Sequence, residues 1–472
     1  MLPRFEHLKR IHLVGICGTA MASLAGMLHA RGFTVTGSDQ SIYPPMSIFL
    51  EGLGIPLLQG FSARNLDAEP DMVVIGNAIS RGNPELEAVL NRRLNYTSMP
   101  EVLKELFIRG KKPIVVAGTH GKTTTTSLLA WILDDAGFQP NFLIGGIAEN
   151  FGSSFKLGKG EIFVIEGDEY DTAFFDKGPK FLHYLPESVI LNNCEFDHAD
   201  IYPDFEAVKT SFRRLINIIP SEGKLIAGWD DWVVRELSRK AFCSVESFGL
   251  CEEAQWRAEQ IETLENSTHF TLWNEGTSLG DLEIPLAGNF NVKNVLAAIV
   301  YAQNIGIKIE TIRSALHKFK NVKRRLEVRG TVKNITLFDD FAHHPTAIQE
   351  TLMAVSARFP KRRIWAIFEP RSATSRRNIF QEAFSKAFDA ADRVVIASAY
   401  ASDKIEPALR LNVGGLVADL NKRGIQAAEC SCADEIIRHV TPQLESGDVI
   451  VVMSNGGFDG IHEKFLKALQ SR

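Results

Sequence analysis

The sequence predicts an α/β fold with parallel sheets, arranged in three successive blocks along the chain. Short apolar runs rich in Val and Ile alternate with Gly-rich turns and helical patterns, as in parallel sheets covered by helices. Several of these runs end in polar or Gly-rich residues, and ligands of open parallel sheets bind at the carboxyl ends of strands. With 472 residues, 45% of them hydrophobic, the chain can form two or three domains with separate cores.

The boundaries of the blocks follow from changes in this pattern. The first block opens with the apolar run RIHLVG at 10–15 and closes near RGKKP, where residues 111–113 predict a linker. The second contains several apolar runs, then a β-rich stretch and a long helical pattern. The third contains four more runs that end in polar residues. We therefore predict domains spanning 1–110, 111–322 and 323–472.

Composition and charge exclude several classes of protein. The net charge of −5 and a pI of about 6.2 show no excess of positive charge of the kind that binds nucleic acid. No apolar run approaches the roughly 20 residues that span a bilayer, so membrane insertion is not expected. The N-terminus has no signal-peptide pattern, and the six cysteines are scattered without a CxxC pair. These features predict a cytoplasmic enzyme with reduced thiols.

The strongest local motif is GTHGKTTTT at 118–126, which lies between an apolar run and a helical pattern. Gly118 and Gly121 let backbone N–H groups turn toward phosphate oxygens at a helix N-terminus. Lys122 can reach the outer phosphates of a nucleotide, and the Thr123 hydroxyl can bind Mg²⁺. Val116 departs from the usual pattern because a glycine normally stands there. An ordinary Gly-rich turn with a surface lysine is the alternative, but the combined context favours nucleotide binding.

The Gly-rich turn of the first block is a weaker signal. In LVGICGTAMA, Cys17 and Ala20 stand where the second and third glycines of a dinucleotide fingerprint belong. N–H groups at Gly18 and Thr19 could still hold a diphosphate, and Asp39 lies near the usual position of a ribose-binding acid. Tight structural packing explains the turn equally well.

Carboxylates and a histidine follow two runs of the second block. Glu166, Asp168 and Asp171 belong to EIFVIEGDEYD, and such a cluster suits Mg²⁺, which prefers oxygen ligands. A solvated acidic loop is the alternative, and for Glu169 it is the favoured interpretation. His198, in NNCEFDHADIY, is compatible with a structural or a functional role.

The third block supplies adjacent histidines and several arginines. In FDDFAHHP, His343 and His344 diverge as neighbours and have no apparent third metal ligand, so polar contacts with a substrate or nucleotide are favoured. The segments KRRLE and EPRSATSRRN carry arginines that can bind carboxylate or phosphate with two hydrogen bonds. For any one of these arginines, a surface salt bridge is the alternative.

Taken in order, these motifs resemble those of the ATP-dependent Mur ligases over essentially the whole chain. The resemblance rests on GTHGKTTTT, EGDEYD, NNCEFDHAD, GNFNVKNVLAA, RRLE and DDFAHHP, which are specific as a set. It implies a Rossmann-like N-terminal domain for a UDP-sugar, a P-loop ATPase-like central domain for ATP and Mg²⁺, and a Rossmann-like C-terminal domain. The last would bring the peptide substrate and close over the other two.

The resemblance also implies a set of site residues. Lys122, His198, Arg325 and Asp340 are the expected catalytic residues. Expected contacts with the UDP-sugar are Gly18, Thr19, Asp39 and Asn77. Expected contacts with ATP are Gly118, Thr119, His120, Gly121, Lys122, Thr123, Thr124, Asn294, Arg325 and Asp340. The expected Mg²⁺ ligands are Thr123, Glu166 and His198, and the candidates for binding the peptide are Arg371, Ser372 and Arg376.

Two departures decide between branches of the family. DEYDTAFFDK replaces the DESDASF-like sequence of the branch that adds L-alanine, and EPRSATSRRNIF replaces its PHRYTRT-like segment. The second segment looks like that of the murein-recycling branch. The expected reaction therefore joins UDP-N-acetylmuramate to the tripeptide L-alanyl-γ-D-glutamyl-meso-diaminopimelate through an acyl phosphate, with addition of L-alanine as the alternative. An NAD-dependent oxidoreductase leaves GKTTTT unexplained, and a non-catalytic nucleotide switch is a further, less favoured class.

Overall fold

A computed structural model describes residues 5–42 and 46–471, which form two compact units. The first unit comprises the described residues of Met1–Glu195, Phe205–Trp256 and Leu296–Ala315. The second comprises Phe196–Asp204, Arg257–Val295 and the described residues of Leu316–Arg472. Both units contain helices and largely parallel sheets, so the predicted α/β class is confirmed. None of the helices in the described ranges is long and apolar enough to cross a membrane.

The N-terminal sheet of the first unit is parallel throughout. Its strands are β1 (Arg10–Val14), β2 (Thr34–Asp39), β3 (Leu57–Gln59), β4 (Met72–Ile75) and β5 (Tyr96–Ser98), in the order β3-β2-β1-β4-β5. The accompanying helices are α1 (Thr19–Ala30), α2 (Met46–Gly52), α3 (Pro84–Asn91) and α4 (Met99–Leu103). This is the strand order of a Rossmann-like sheet, in which ligands bind beyond the carboxyl ends of the central strands. Both edge strands have only three residues.

A second sheet in the first unit contains β6 to β9 and β12 to β14. The strands are β6 (Lys112–Ala117), β7 (Asn141–Ala148), β8 (Ser153–Lys156), β9 (Ile162–Gly167), β12 (Ser188–Leu191), β13 (Lys224–Gly228) and β14 (Ser244–Gly249). They follow the order β14-β13-β12-β6-β9-β7-β8, and all pairs are parallel except β7 with β8. A separate hairpin joins β10 (Asp171–Ala173) to β11 (Asp176–Pro179), and the helices are α5 (Lys122–Asp135), α6 (Phe205–Asn217) and α7 (Trp232–Ser238).

The central strands of this second sheet place three motifs at one edge. The apolar residues of β6, β9 and β12 are buried on both faces, as expected for a parallel sheet covered by helices. Because these three strands are neighbours and parallel, their carboxyl ends lead into residues 118–121, 168–171 and 192–195 side by side. The linker predicted at 111–113 is partly wrong, since β6 begins at Lys112 and the Pro113 carbonyl accepts a hydrogen bond from the Glu187 N–H.

The second unit contains a small β-ribbon and the C-terminal sheet. The ribbon strands are β15 (Trp256–Thr263, of which Trp256 belongs to the first unit), β16 (Thr268–Asn274) and β17 (Thr277–Ile284), with β16 antiparallel to β17. Helices α8 (Asn289–Asn304) and α9 (Ile309–His317) follow, and their residues from Leu296 to Ala315 belong to the first unit. The C-terminal strands are β18 (Glu327–Val332), β19 (Ile335–Asp340), β20 (Ile364–Phe368), β21 (Arg393–Ala397), β22 (Gln426–Cys430) and β23 (Val449–Met453). The helices are α10 (Pro345–Arg358), α11 (Gln381–Ala387), α12 (Val413–Lys422), α13 (Ala433–Val440) and α14 (Ile461–Ser471).

The C-terminal sheet has a core on each face. Its order is β18-β19-β23-β20-β21-β22, parallel except for the edge strand β18, which pairs antiparallel with β19 across a register shift. Successive residues of a strand point to opposite faces, so Phe338 packs with α10, α11 and α12 while Leu337 packs with α13 and α14. The carboxyl ends of β19, β23 and β20 again lie side by side, next to the predicted peptide-binding segment.

Candidate active site

The loop between β6 and α5 requires glycine at two positions. Gly118 has a φ of +131°, and a Cβ there would lie 3.0 Å from the backbone nitrogen of Asn193. Gly121 has a φ of +81° and occupies the N-cap position of α5, where it carries no side chain that could cap the first-turn N–H groups. The loop is thereby open to an anion at the positive end of the helix dipole.

The threonines at the start of α5 are buried and have different partners. Thr123 Oγ1 lies 3.2 Å from Glu166 Oε2, at the end of β9. Thr125 Oγ1 accepts a hydrogen bond of 3.1 Å from Asn192, and Thr126 Oγ1 donates one of 2.8 Å to the Lys122 carbonyl. Thr124 is 5% exposed. The hydroxyls of Thr123, Thr125 and Thr126 each have a hydrogen-bond partner, which offsets the cost of burying them.

Lys122 forms a buried ion pair that the sequence did not predict. Its Nζ lies 3.0 Å from Glu169 Oε2 and donates a hydrogen bond of 2.6 Å to the Gly118 carbonyl. Burial lowers the pKa of the Lys122 ammonium, but the carboxylates of Glu169 and Asp168 outweigh burial and raise it overall. The interpretation of Glu169 as part of a solvated loop is wrong. Its side chain is 2% exposed, because the adjacent ammonium compensates the buried charge.

Two asparagines and a glutamate after β12 hold the phosphate loop. Asn193 Oδ1 accepts a hydrogen bond of 2.8 Å from the His120 N–H, and the Thr119 hydroxyl accepts one of 2.8 Å from the Glu195 N–H. The His120 imidazole lies 3.2 Å from a Glu195 carboxylate oxygen. Sequence reasoning did not single out Asn193 or Glu195 for this function, although the paired asparagines at a strand end were a signal for it.

The predicted Mg²⁺ ligands are divided between the units. Thr123 and Glu166 lie together in the first unit, whereas His198 belongs to the second, where it is 8% exposed and has a φ of +56°. Glu166 Oε1 accepts a hydrogen bond of 2.5 Å from the Gly145 N–H, and a Cβ at Gly145 would lie 2.9 Å from Glu166 Oε2. The glycine thus leaves room beside a carboxylate and a hydroxyl, which are oxygen donors that fit Mg²⁺.

At the N-terminal sheet, Asp39 braces the turn that was predicted to bind UDP. Its carboxylate accepts a hydrogen bond of 2.9 Å from the Cys17 N–H and one of 3.2 Å from the Ser41 N–H. Burial and the charge of Asp39 raise the pKa of the Cys17 thiol to about 11. Gly18 and Thr19, at the start of α1, are exposed, as is Asn77 beyond the end of β4. These three residues remain available to a ligand at the carboxyl ends of β1 and β4.

In the second unit, Asp340 stabilises the segment that carries Arg325. Its buried carboxylate accepts hydrogen bonds of 2.7 Å from the Leu326 N–H and 2.8 Å from the Ala342 N–H, while burial raises its pKa. The Arg325 guanidinium lies 5.1 Å from the centre of the Phe341 ring. Both oxygens of Asp340 are therefore used by the protein itself, and its contact with ATP stays a prediction.

Asn294, the residue expected to contact adenine, lies on α8. Its side chain is 5% exposed, and its Nδ2 donates a hydrogen bond of 3.3 Å to Asn291 Oδ1. The partner amide in turn donates one of 2.8 Å to the Ala287 carbonyl. The two asparagines therefore form a short polar chain at the start of the helix, and the adenine contact stays a prediction.

The three residues predicted to bind peptide lie on one loop after β20. Arg376 donates hydrogen bonds of 3.1 Å to the Tyr400 carbonyl and 3.3 Å to the Ser372 carbonyl, so its guanidinium shapes the loop. Ser372 Oγ is hydrogen-bonded to Ser375. The Arg371 guanidinium instead stacks 3.9 Å from the centre of the Tyr400 ring, with Glu369 at 3.4 Å. Arg371 thus has an aromatic ring and a carboxylate as neighbours, and its contact with the peptide stays a prediction.

Comparison with known proteins identifies the family along the whole chain. Residues 10–111 match the family model described as Mur ligase family, catalytic domain; residues 116–302 match the Mur ligase middle domain; residues 324–456 match the Mur ligase, glutamate ligase domain. The chain is 41% identical to the UDP-N-acetylmuramate–L-alanyl-γ-D-glutamyl-meso-2,6-diaminoheptandioate ligase of Escherichia coli (strain K12), over 98% of this chain and 99% of the relative.

Two solved structures are similar over nearly the full length of the chain. The murein peptide ligase of Psychrobacter arcticus 273-4 has 38% identity and a TM-score of 0.74, covering 98% of this chain and 99% of that one. The UDP-N-acetylmuramate–alanine ligase of Thermotoga maritima has 25% identity and a TM-score of 0.82, covering 98% and 100%. The backbone of the family is thus shared between branches, while sequence identity is higher with the peptide ligases. On these matches, the chain belongs to the Mur ligase family.

Proposed function

We propose that this protein is an ATP- and Mg²⁺-dependent ligase that joins UDP-N-acetylmuramate to L-alanyl-γ-D-glutamyl-meso-diaminopimelate in murein recycling. The observation that carries the proposal is the cluster at the start of α5, where Lys122, Thr123 and Glu166 combine an ammonium with two oxygen donors. Among curated relatives, an identity of 41% to a peptide ligase against 34% to an L-alanine ligase supports the recycling branch, as do 38% against 25% among solved structures. A cytoplasmic location, where ATP and UDP-sugars are present, is part of the proposal.

The reaction must convert an unreactive carboxylate into an acyl donor. A carboxylate oxygen of the muramate lactyl group attacks the γ-phosphorus of ATP, the bond to the bridging oxygen breaks, and ADP leaves. The amino group of the tripeptide's L-alanine then attacks the carbonyl carbon of this acyl phosphate and loses a proton. Inorganic phosphate leaves as the amide forms. Positioning and electrostatic stabilisation account for most of the catalysis in such transfers.

The first unit supplies the phosphate-binding part of this chemistry. Lys122 exchanges its contact with Glu169 for the outer phosphates of ATP, and the backbone N–H groups from Gly118 to Thr124 surround the phosphate oxygens. Thr123 and Glu166 would hold Mg²⁺, which would supply positive charge against the negative charge that builds up as the two anions approach. Thr119 and His120 contribute to ATP binding as part of the phosphate loop, which Asn193 holds in place. Gly18, Thr19 and Asn77 contact the UDP-sugar, while Asp39 fixes the turn.

The second unit supplies the remaining contacts. Asn294 binds the adenine, Arg325 reaches the phosphates on closure of the C-terminal domain, and Asp340 holds the backbone from which Arg325 projects. His198 binds metal or orients the carboxylate. Arg371 receives a carboxylate of the peptide, because its guanidinium is displayed on the Tyr400 ring. In this scheme, the UDP-sugar is bound by the domain of residues 1–110, ATP by that of residues 111–322, and the peptide by that of residues 323–472.

A direct competition assay tests the proposal. Purified protein is incubated with UDP-N-acetylmuramate, ATP and Mg²⁺, together with either the tripeptide or L-alanine, and product formation is followed by mass spectrometry. We expect kcat/KM to be at least about 100-fold higher for the tripeptide. Preference for L-alanine would assign the protein to the biosynthetic branch, and release of ADP without either product would refute ligation altogether.

A further inference from the structure

The segment Phe196–Ala199, which carries His198, is held by residues that lie far away in the sequence. His344 Nε2 lies 3.2 Å from the Phe196 carbonyl. The Ala199 N–H donates a hydrogen bond of 3.3 Å to Thr374 Oγ1, and Arg377 Nη1 donates one of 3.1 Å to the Ala199 carbonyl. Three contacts from the second unit therefore fix the backbone on both sides of His198.

The hydrogen-bond partners of His344 define its role. Its Nδ1 accepts a hydrogen bond of 3.3 Å from the Thr346 N–H as the N-cap of α10. A ring nitrogen that accepts carries no proton, so in the neutral ring the proton lies on Nε2, which donates to the Phe196 carbonyl. The Phe380 ring packs against both residues of this contact. Its centre lies 4.7 Å from the centre of the His344 ring and 6.3 Å from that of the Phe196 ring. The contact is thus built into the packing.

The backbone at His198 is in a conformation that needs such support. Its φ of +56° is uncommon for a residue other than glycine, and its carbonyl accepts hydrogen bonds from the N–H groups of Ile201 and Tyr202. Asp197, 5% exposed, has an oxygen 3.9 Å from His198 Nε2 and 3.8 Å from His343 Nε2. The direction of the His198 imidazole is therefore set by the surrounding segment.

We propose that His344, Thr374 and Arg377 are positioning residues that set His198 for metal binding, and so couple metal affinity to occupancy of the peptide-binding loop. Thr374 and Arg377 lie on the same loop as Arg371, so a peptide bound at Arg371 stabilises the loop conformation in which the contacts to Ala199 form. Coupling of this kind is reciprocal, so metal and tripeptide each strengthen binding of the other. The inference rests on the proposed function and takes the first of the two roles given there for His198, that of a metal ligand.

The experiment measures binding of Mn²⁺, used as a probe for Mg²⁺, by electron paramagnetic resonance in the presence of a non-hydrolysable ATP analogue. We expect the tripeptide to lower the Kd of the wild-type protein for Mn²⁺ about fivefold, which corresponds to the net free energy of one ordinary hydrogen bond. Thr374→Val and Arg377→Lys should each abolish this coupling. Thr374→Ser, which keeps the hydroxyl, should retain it, and so should the matched surface control Arg423→Lys.

Amide hydrogen exchange gives a second readout that needs no turnover. In Thr374→Val and Arg377→Lys, the N–H groups of residues 199–202 should exchange faster, whereas those of α5 should exchange as in the wild type. The inference is overturned if the wild-type protein shows no coupling, or if either variant keeps it. Failure of the proposed function would be seen separately, as absence of tripeptide ligation by the wild-type protein.

Discussion

Lys122→Met removes the expected phosphate contact of the loop, but it also breaks the ion pair between Lys122 and Glu169. The variant therefore tests the stability of the protein as well as its chemistry. Methionine matches the length of the lysine side chain and removes the ammonium from a carboxylate that is 2% exposed. The charges of Asp168 and Glu166 also act on Lys122. In the variant, these two carboxylates and Glu169 therefore lose the ammonium that compensated their charge. Loss of activity alone would then confuse lost chemistry with lost stability.

The size of this destabilisation can be bounded. Removal of one partner from a buried pair costs about 3–5 kcal/mol. Uptake of a proton by Glu169 limits the cost, because protonating a glutamate of ordinary pKa, about 4.3, takes about 5 kcal/mol at pH 8 and about 2.3 kcal/mol at pH 6. In the variant, the pKa of Glu169 is raised in the folded state. The folded state therefore loses stability as pH increases from about 4.3 toward that raised pKa.

Urea unfolding at pH 6 and pH 8 measures this effect, with the wild type, Lys122→Met and the double variant Lys122→Met/Glu169→Gln compared. We expect the single variant to lose about 3–5 kcal/mol at pH 8 and at most about 2.3 kcal/mol at pH 6. The double variant, which has no charge to bury at this pair, should recover most of the loss and show little dependence on pH. Equal stability of the single and double variants at pH 8 would refute the reasoning. The double variant is also the folded protein in which to test loss of ligation.

Three other outcomes are expected. A Cβ in Gly456→Ala would lie 2.1 Å from Arg371 Nε, so the side chain must move, and KM for the tripeptide should rise about tenfold while KM for ATP is unchanged; equal changes in both would contradict a peptide-specific role. Asn193→Ala removes an acceptor of the phosphate loop and should weaken ATP binding about 5- to 10-fold by calorimetry, whereas an unchanged Kd would show that the loop holds itself. At pH 8, iodoacetamide should modify exposed Cys432, whose pKa is lowered chiefly by a backbone hydrogen bond, well before Cys17, whose pKa of about 11 leaves roughly one thiolate in a thousand. Peptide mass spectrometry measures both cysteines, and similar rates would contradict the assigned environments.

The fold and the phosphate loop could be predicted from the sequence because their signals are local. The apolar run at 10–15 forms β1 (Arg10–Val14), and the loop at 118–121 follows β6 as the Gly-rich pattern required. Strand ends that carry polar residues come together in any parallel sheet, and Glu166 lies 3.2 Å from the Thr123 hydroxyl for this reason.

The pairing of buried charges could not be predicted in the same way. A glutamate within a run of acidic residues is usually exposed to solvent, and only the tertiary structure shows that the Glu169 carboxylate faces the Lys122 ammonium. Likewise, the resemblance to the family made Asp340 a candidate for ATP contact, while its hydrogen bonds to two backbone N–H groups depend on the path of the chain around Leu326. Local patterns locate a site, but its internal contacts depend on residues distant in sequence.

The edge strands described above have a consequence for how the protein behaves when concentrated. Unpaired strand edges are templates for association between copies, and short strands, irregular pairing and charged side chains suppress this. The N-terminal sheet ends in strands of three residues, and β18 combines a register shift with charged residues at Glu327 and Arg329. Edge-to-edge association is therefore disfavoured at these three edges. Substitutions that lengthen β3 or β5, or remove the charges of β18, are the ones expected to promote aggregation.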